Sequence, residues 1–453
     1  MSAPPSVLVW FRRDLRLADN PALARAAAMG RPVVPVFVLD DVTPGLRAPG
    51  GASCWWLHHS LAALADDLAA LGGHLILRRG PAGAVLDALI AETGADTVLW
   101  NRCYDKGSVA RDTAVKAGLR ARGLQAESFN GSLLTEPWEI TTKAGGGYKV
   151  YTRFWQACRA AGDPPPPVPA PGALAAPETW PRSDDLADWG LTPRSPDWAA
   201  GFSGHWMPGS AGAMDRLDHF LDGAVTDYAD RRDFPARPAT SGLSPHLAWG
   251  DIGPRQAWQA AMRRAPAGRG RETFLKELVW REFAHHVLHH FPDLAERPMD
   301  AKFDAFPWMP DVGLLAAWQQ GRTGYPLVDA GMRELWATGT MHNRVRMVAA
   351  SFLVKHLLQP WQAGEAWFWD TLVDADPASN PFNWQWVAGC GADAAPYFRI
   401  FNPALQAQKF DKDREYLRRW VPELGTDDYP PPIVDHKGAR ERALAAFKSL
   451  KRG

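Results

Sequence analysis

Short apolar runs alternate with amphipathic stretches along the first 130 residues. Val7–Phe11, Pro32–Leu39, His74–Leu77, Thr97–Trp100 and Gln125–Phe129 are brief, and most are rich in valine, leucine and aromatic side chains, which predicts strands. Between them Cys54–Leu71, Pro81–Glu92 and Val109–Arg122 carry apolar positions at helical spacing. Asn20 followed by Pro21 marks one more helix start, a capping side chain and then proline at the first helical position. Strand runs alternating with longer helices predict a five-stranded, doubly wound parallel sheet covered on both faces.

The pattern then changes twice. Between Pro164 and Pro181 eight of eighteen residues are proline. Neither a packed helix nor a central strand tolerates that, so the stretch reads as a semi-rigid strap over the surface. From about Ala211 onward apolar positions fall at helical spacing and β-branched runs become rare. The predicted organisation is α/β plus all-α: an α/β domain over residues 1–130, a proline-rich connector over 131–205 and an all-helical domain over 206–453.

Composition adds constraints. Lys+Arg 50 against Asp+Glu 50 gives a formal charge of zero, so binding to a polyanion must rest on a local basic patch. The four cysteines, Cys54, Cys103, Cys158 and Cys390, are far apart, which argues against a disulfide framework and fits a reducing cytoplasm. The apolar run ending at Phe11 is too short for a signal-peptide core, and no stretch approaches the roughly 20 apolar residues of a membrane span. The chain has 22 tryptophans beside 8 tyrosines. Either they are bulky packing, or they serve π-stacking or electron transfer, since a buried indole N–H demands a partner.

The sheet domain has neither a G-x-G-x-x-G fingerprint nor a P-loop. RRDLRL follows Phe11, which also removes the phosphate-gripping loop that an ATP-dependent transferase would need. In the helical half, Thr240, Ser241, Gly242 and Ser244-Pro245 gather hydroxyls and free N–H groups at a helix start. They form either a plain N-cap or an anion site suited to phosphate. Glu277, Trp280 and Arg281 share one helix face, as an exposed ion pair beside a packing indole or as a surface for a planar heterocycle. His285 and His289, in HHVLHH, lie four apart. No acidic residue completes an H-E-x-x-H pattern, so no metal site is expected.

Two further stretches, GYPLVDAGMRELWATGTMHNRVRMVAASFLVKHLL (Gly324–Leu358) and DADPASNPFNWQWVAGCGADAAPYFRIFNP (Asp374–Pro403), resemble the photolyase/cryptochrome family. So do VWFRRDLRLADNPAL, LSPHLAWGDI, ELVWREF and YPPPIVDHKGAR. The resemblance spans nearly the whole chain and is loose over Pro44–Gly51 and the proline strap. It implies a helical domain that holds FAD in a folded-over conformation beside an antenna-type α/β domain. Carried over residue by residue, the flavin contacts fall on Tyr228, Thr240, Ser241, Leu243 and Ser244 toward the phosphates. Glu277, Arg281, Asn343, Arg346, Asp374, Asp376 and Asn380 fall around the adenine and isoalloxazine. The resemblance also implies a path for electrons between flavin and surface through Trp384, Trp361 and Trp308.

Within the family, (6-4) repair implies a histidine pair in the segment equivalent to MHNRVRM. Asn343 and Met347 stand there, which looks like the class I dimer photolyases. Asn380 falls beside flavin N5, where plant cryptochromes tend to show aspartate; its amide can turn either oxygen or nitrogen to the ring. The resemblance thus implies light-driven repair of cyclobutane pyrimidine dimers, with an electron passing from excited reduced FAD to a dimer flipped out of UV-damaged DNA. The alternatives are a cryptochrome-type blue-light receptor and a (6-4) photolyase. Trp280 and Trp386 are expected to wall the lesion pocket, Glu277 and Asn343 to hydrogen-bond the pyrimidines, and Arg232, Arg344 and Arg399 to clamp phosphates. Folate-binding relatives tend to carry an acidic residue where Ser108 falls, which leaves any second, antenna chromophore unidentified. Pro381 and Phe382 depart from many class I members beside the flavin. A monomeric cytoplasmic enzyme without membrane attachment is expected.

Overall fold

The computed structural model describes residues 4–394 and 398–450; positions 395–397, inside the Asp374–Pro403 stretch, lie outside the described residues. Five strands, β1 (Val7–Phe11), β2 (Val33–Leu39), β3 (Ile76–Arg79), β4 (Thr97–Asn101) and β5 (Gln125–Phe129), form one sheet in the order β3-β2-β1-β4-β5. Every neighbouring pair is parallel, with Val7 of β1 opposite both Val33 and Thr97. Val7, Val9 and Phe11 belong to one apolar cluster and Leu8 and Trp10 to another. That alternation is what a sheet buried on both faces requires. Asn20 caps the Pro21–Ala28 helix as its sequence suggests, accepting from the Leu23 N–H at 3.1 Å.

The strand order reverses between β1 and β4, where doubly wound sheets commonly take a nucleotide. Here protein fills the crevice. The RRDLRL segment turns into it, and Asp14 accepts from Asn101 Nδ2 at 2.6 Å and from the Arg12 N–H at 2.7 Å. Arg12 pairs with Asp112 at 2.9 Å. Arg16 donates to the Gly250 carbonyl at 3.0 Å and Asp19 pairs with Arg255 at 3.1 Å, so the same segment latches the sheet onto the helical half.

The proline strap is held to the sheet domain by its backbone. Asp19 N–H donates to Val168 O at 2.6 Å, Val33 N–H to Ala175 O at 2.8 Å, and Leu174 N–H to Leu71 O at 3.0 Å. The stretch 131–205 is not all extended: Tyr151–Ala161 is helical and packs on the long helix Arg269–His290. Beyond Ser210 the described residues form helices and loops and no strand. Two apolar clusters organise this half, one around Trp318, Trp361 and Trp384 and the other around Phe220, Phe274 and Phe283.

Many tryptophans are core residues whose N–H is satisfied. Trp56 donates to Asp251 at 3.1 Å, Trp206 to Thr338 O at 2.8 Å and Trp318 to Ala349 O at 3.0 Å. Among the described residues no helix is long and apolar enough to cross a membrane.

Candidate functional site

A cavity of about 1220 Å³ opens where the two helical clusters meet, with Phe220 and Phe274 on one side and Phe368 and Trp384 on the other. Ordinary small-molecule sites enclose roughly 300–1,000 Å³, so this one admits a dinucleotide with space remaining at the mouth. All twelve positions expected to touch FAD, from Tyr228 to Asn380, line it, together with Met347, Trp384 and Trp386.

At one end lies the turn before the Ser244–Trp249 helix. The N-cap residue is Leu243, and no side chain caps the helix. Ser244 is therefore not spent as a cap; it and Thr240 are exposed toward the cavity. Gly242 takes φ +64° in this turn, a left-handed conformation that glycine adopts without strain. Uncommitted hydroxyls beside backbone N–H groups suit phosphate oxygens.

At the other end three side chains are fixed by their neighbours. Arg346 holds Asp374 bidentately, at 3.1 and 2.9 Å, and its Nε donates to Met341 O at 2.6 Å. Asp376 accepts from the N–H groups of Ala378 at 2.9 Å and Ser379 at 2.7 Å. Although burial opposes its ionisation, His285, Arg281 and these N–H donors hold it down at about 2. Asn380 donates its Nδ2 to Glu365, at 2.8 Å to Oε1 and 3.1 Å to the carbonyl oxygen. Pro381 lies in the first turn of the Ser379–Ala388 helix, where backbone N–H groups have no intrahelical acceptor in any case. Phe382 faces the other way, against Phe283 at 5.5 Å. Their departure from the family pattern thus leaves the cavity wall alone.

The expected lesion residues divide. Glu277, Asn343, Met347 and Trp386 line the cavity. Glu277 is ion-paired with Arg232, and the Trp386 N–H donates to Asp393 O at 3.2 Å. Trp280, expected as a wall, is not in the cavity lining: it is stacked on Tyr151, centroids 3.6 Å apart and planes 7° apart. Tyr151 comes from the stretch expected to be connector, and nothing in its local pattern flags it.

Of the three expected phosphate clamps, Arg232 is committed to Glu277 and Arg344 to Asp233 at 2.6 Å. Arg344 also lies over the Phe410 ring at 4.5 Å. Arg399 is exposed and forms no ion pair among the described residues. Lysine and arginine side chains that already hold carboxylates reach phosphates only by exchanging partners, so the three are not equivalent.

In HHVLHH, His286 is structural. His286 donates from Nδ1 to Pro137 O at 3.0 Å and accepts the Tyr148 N–H on Nε2 at 2.8 Å, which fixes it neutral. Among the described residues no group of three or more His, Cys, Asp or Glu could hold a metal ion. Burial pushes His286, His342 and His356 each down to about 4. These groups bind protons in the unfolded chain below about 6.5 but not in the folded one, so each destabilises the fold as pH falls from 6.5 toward 4. Glu282, raised by burial to about 7, works the other way over the same window. Burial also lowers His58, His59, His205, His285 and His289, and the lowered histidines outnumber the raised carboxylates, so the net expectation is a falling thermal midpoint between pH 6.5 and 4.5, measured by circular dichroism. A flat midpoint there would show that these histidines are not buried neutral.

The three tryptophans of the expected electron path share one core cluster, with Trp361 and Trp384 inside it and Trp308 packed against it. Met309 N–H donates to Leu358 O at 2.8 Å, which brings the Trp308 segment beside the start of the Trp361–Thr371 helix. Trp384 packs in turn on Gly364 of that helix. Trp318, which the sequence did not single out, stands 6.2 Å from Trp384 edge-on.

A deep helical-domain cavity with free hydroxyls at one end, a fixed amide at the other and a latched parallel-sheet domain alongside defines a dinucleotide-binding two-domain protein. Residues 7–172 match the DNA photolyase family, and residues 274–427 match the FAD binding domain of DNA photolyase. The chain is 53% identical to a deoxyribodipyrimidine photo-lyase of Agrobacterium fabrum, over 98% of each protein. It is 41% identical to Cryptochrome-2 of Arabidopsis thaliana, over 100% of this chain and 80% of that protein. A solved bacterial class III photolyase from Agrobacterium tumefaciens superposes with TM-score 0.96 at 52% identity, covering 100% of this chain and 99% of that one. The chain belongs to the DNA photolyase/cryptochrome family, and it is an FAD-dependent enzyme of that family. The nearness to class I dimer photolyases is an expectation from sequence motifs; the solved relative at 52% identity is a class III photolyase, and a plant cryptochrome matches at 41%.

The cavity residues fit FAD. Its volume, the uncommitted Thr240 and Ser244 hydroxyls and the unshared Asn380 oxygen supply room for the dinucleotide, donors for its phosphates and an acceptor for its ring edge.

Proposed function

We propose that this protein repairs cyclobutane pyrimidine dimers in DNA under light. The observation that carries the proposal is the mouth of the cavity. Glu277, Asn343, Met347 and Trp386 line the same space as the flavin positions, so a lesion admitted there shares one enclosure with the cofactor. FAD, when bound, supplies the photochemical electron. The protein does the rest by positioning.

Thr240, Ser241 and Ser244 would hold the phosphates of bound FAD, with Tyr228 lining the same cavity. Arg281, Arg346, Asp374 and Asp376 orient the adenine and the ring system, with Arg346 locked by Asp374. Glu277, held by Arg232, accepts hydrogen bonds from pyrimidine ring N–H groups, and the Asn343 amide complements it. Trp386 provides the apolar wall, while Trp280 and Tyr151 brace the helix that carries Glu277. The lesion must leave the duplex, at a cost of a few kcal/mol that damage reduces. Arg399, which forms no ion pair among the described residues, takes a backbone phosphate first, and Arg344 engages by exchanging Asp233 for phosphate while Arg232 stays on Glu277. An antenna chromophore, if bound, is of a kind left open by the buried Ser108.

A second reading, a cryptochrome-type light receptor, is favoured by the 41% identity to the plant protein. The (6-4) reading lacks its chemistry: Asn343 and Met347 carry no titratable proton, and burial holds His342 at about 4. The test is illumination of the reduced holoprotein with an oligonucleotide bearing one cyclobutane dimer, beside a second bearing one (6-4) lesion. Light-dependent reversal of the dimer alone is expected. Absence of dimer reversal would overturn the proposal and leave the receptor reading.

A further inference from the structure

The Asn380 amide is oriented from outside the cavity. Both groups that take its Nδ2 hydrogens, Glu365 Oε1 at 2.8 Å and Glu365 O at 3.1 Å, are acceptors. Turning the amide over would exchange two hydrogen bonds for two repulsions between oxygens. Its Oδ1 has no hydrogen-bond partner among the described residues and is left to the cavity that Asn380 lines.

The arrangement depends on Glu365 staying an acceptor. That carboxylate is buried, 4% exposed, and a buried carboxylate without a counter-charge is costly. Arg47 supplies the charge, bidentately: Nη1 to Oε1 at 2.7 Å and Nη2 to Oε2 at 2.8 Å. Arg47 belongs to the other domain, in the loop between β2 and the Gly51–Ala70 helix. Its guanidinium lies over the Trp369 ring at 4.0 Å. The loop around it is pinned by Trp369 Nε1 on Ala48 O at 2.8 Å and by the Gly51 N–H on Asp370 at 2.8 Å. Neither Arg47 nor Glu365 lines the cavity.

We propose that Arg47 is a positioning residue for the flavin site. By pairing with Glu365 it keeps that side chain an acceptor, and Glu365 fixes the Asn380 amide with its oxygen toward the cavity. The proposal rests on the reading that Asn380 stands beside N5 of FAD. A reduced isoalloxazine carries N–H at N5, whereas the oxidised ring presents a bare acceptor there. A fixed carbonyl oxygen therefore favours the reduced ring, the form that repair uses. With Arg47 gone, the buried carboxylate lowers its cost by binding a proton or turning away. The amide then keeps only the Glu365 carbonyl oxygen as a fixed acceptor and reverses more readily, and its NH₂ favours the oxidised ring.

The competing account makes the Arg47–Glu365 pair a staple between domains and nothing more. The two accounts separate in the midpoint potential of bound FAD, measured in wild type, Arg47→Ala, Arg47→Lys, Glu365→Gln and Asn380→Leu. The expected result is a potential shifted to more negative values in Arg47→Ala and Glu365→Gln, with Arg47→Lys restoring most of it. Should Arg47→Ala fail to fold, the nearly isosteric Glu365→Gln carries the comparison. An unchanged potential in Arg47→Ala and Glu365→Gln, beside a shifted one in Asn380→Leu, overturns the relay and leaves the staple. An unchanged potential in Asn380→Leu as well overturns the placement of Asn380 itself.

Discussion

Replacing Trp384 by phenylalanine should abolish most photoreduction of bound oxidised FAD while sparing repair by chemically pre-reduced protein. Trp384 lines the cavity and is buried, and it packs on the helix that begins at Trp361. Trp308 sits against the same cluster through the Met309–Leu358 hydrogen bond. These three side chains come from three separate segments, so helical periodicity alone does not align them. Phenylalanine keeps the contacts with Phe368, whose ring centroid is 5.0 Å away, but lacks an easily oxidised ring. The rate of photoreduction with a thiol present should fall by roughly tenfold or more, the effect of about 1.4 kcal/mol on a barrier. Stability should fall by about 1–3 kcal/mol from the cavity left behind, which a thermal melt separates from the photochemical loss. A wild-type photoreduction rate would remove Trp384 from the path. Trp318, in edge contact with Trp384, would then be the next aromatic ring to replace.

Glu277→Ala should leave FAD bound and lower repair per absorbed photon by roughly ten- to a hundredfold, the equivalent of a charge-assisted hydrogen bond of about 1.5–3 kcal/mol. Glu277 lines the cavity and is held by Arg232. Removing it also releases Arg232, whose guanidinium becomes available to a phosphate, so affinity for dimer-containing DNA should hold while the yield drops. Glu277→Gln, which keeps one acceptor oxygen, should fall between the two. Equal yields in wild type and Glu277→Ala under single-turnover flashes would show that Glu277 does not touch the pyrimidines.

Local signals sufficed for the sheet and for most of the cavity. The apolar runs marked five strands to within a few residues, because the central strands, buried on both faces, are apolar almost throughout, while the edge strands β3 and β5 were read from their shorter apolar stretches between amphipathic helices. Family motifs marked twelve positions expected to touch a flavin, and helices and loops bring all twelve to one cavity. Those motifs are contiguous, so the spacing that defines them survives in the chain. What they could not convey is which partner each side chain takes. Arg232 and Arg344 read as free cations in the sequence, but tertiary packing sets Glu277 and Asp233 beside them. Trp280 reads as a pocket wall until the Tyr151–Ala161 helix lays Tyr151 on its face.

Asn380 shows the division most plainly. Its residue type is legible, and with it the absence of charge at a position expected beside the flavin; the direction of its amide is not. That direction follows from Glu365, fifteen residues earlier, and from Arg47, 318 residues before Glu365 in a loop where the resemblance is loose. The sequence by itself determined the periodicities, the caps and the chemical character of each cavity position, since these rest on neighbours within a turn or a motif. The tertiary structure alone decided ion-pair partners, ring stacks and amide orientation. Those contacts join segments from 15 to 318 residues apart, and hydrogen-bond geometry within a few tenths of an ångström selects among partners that composition leaves equal.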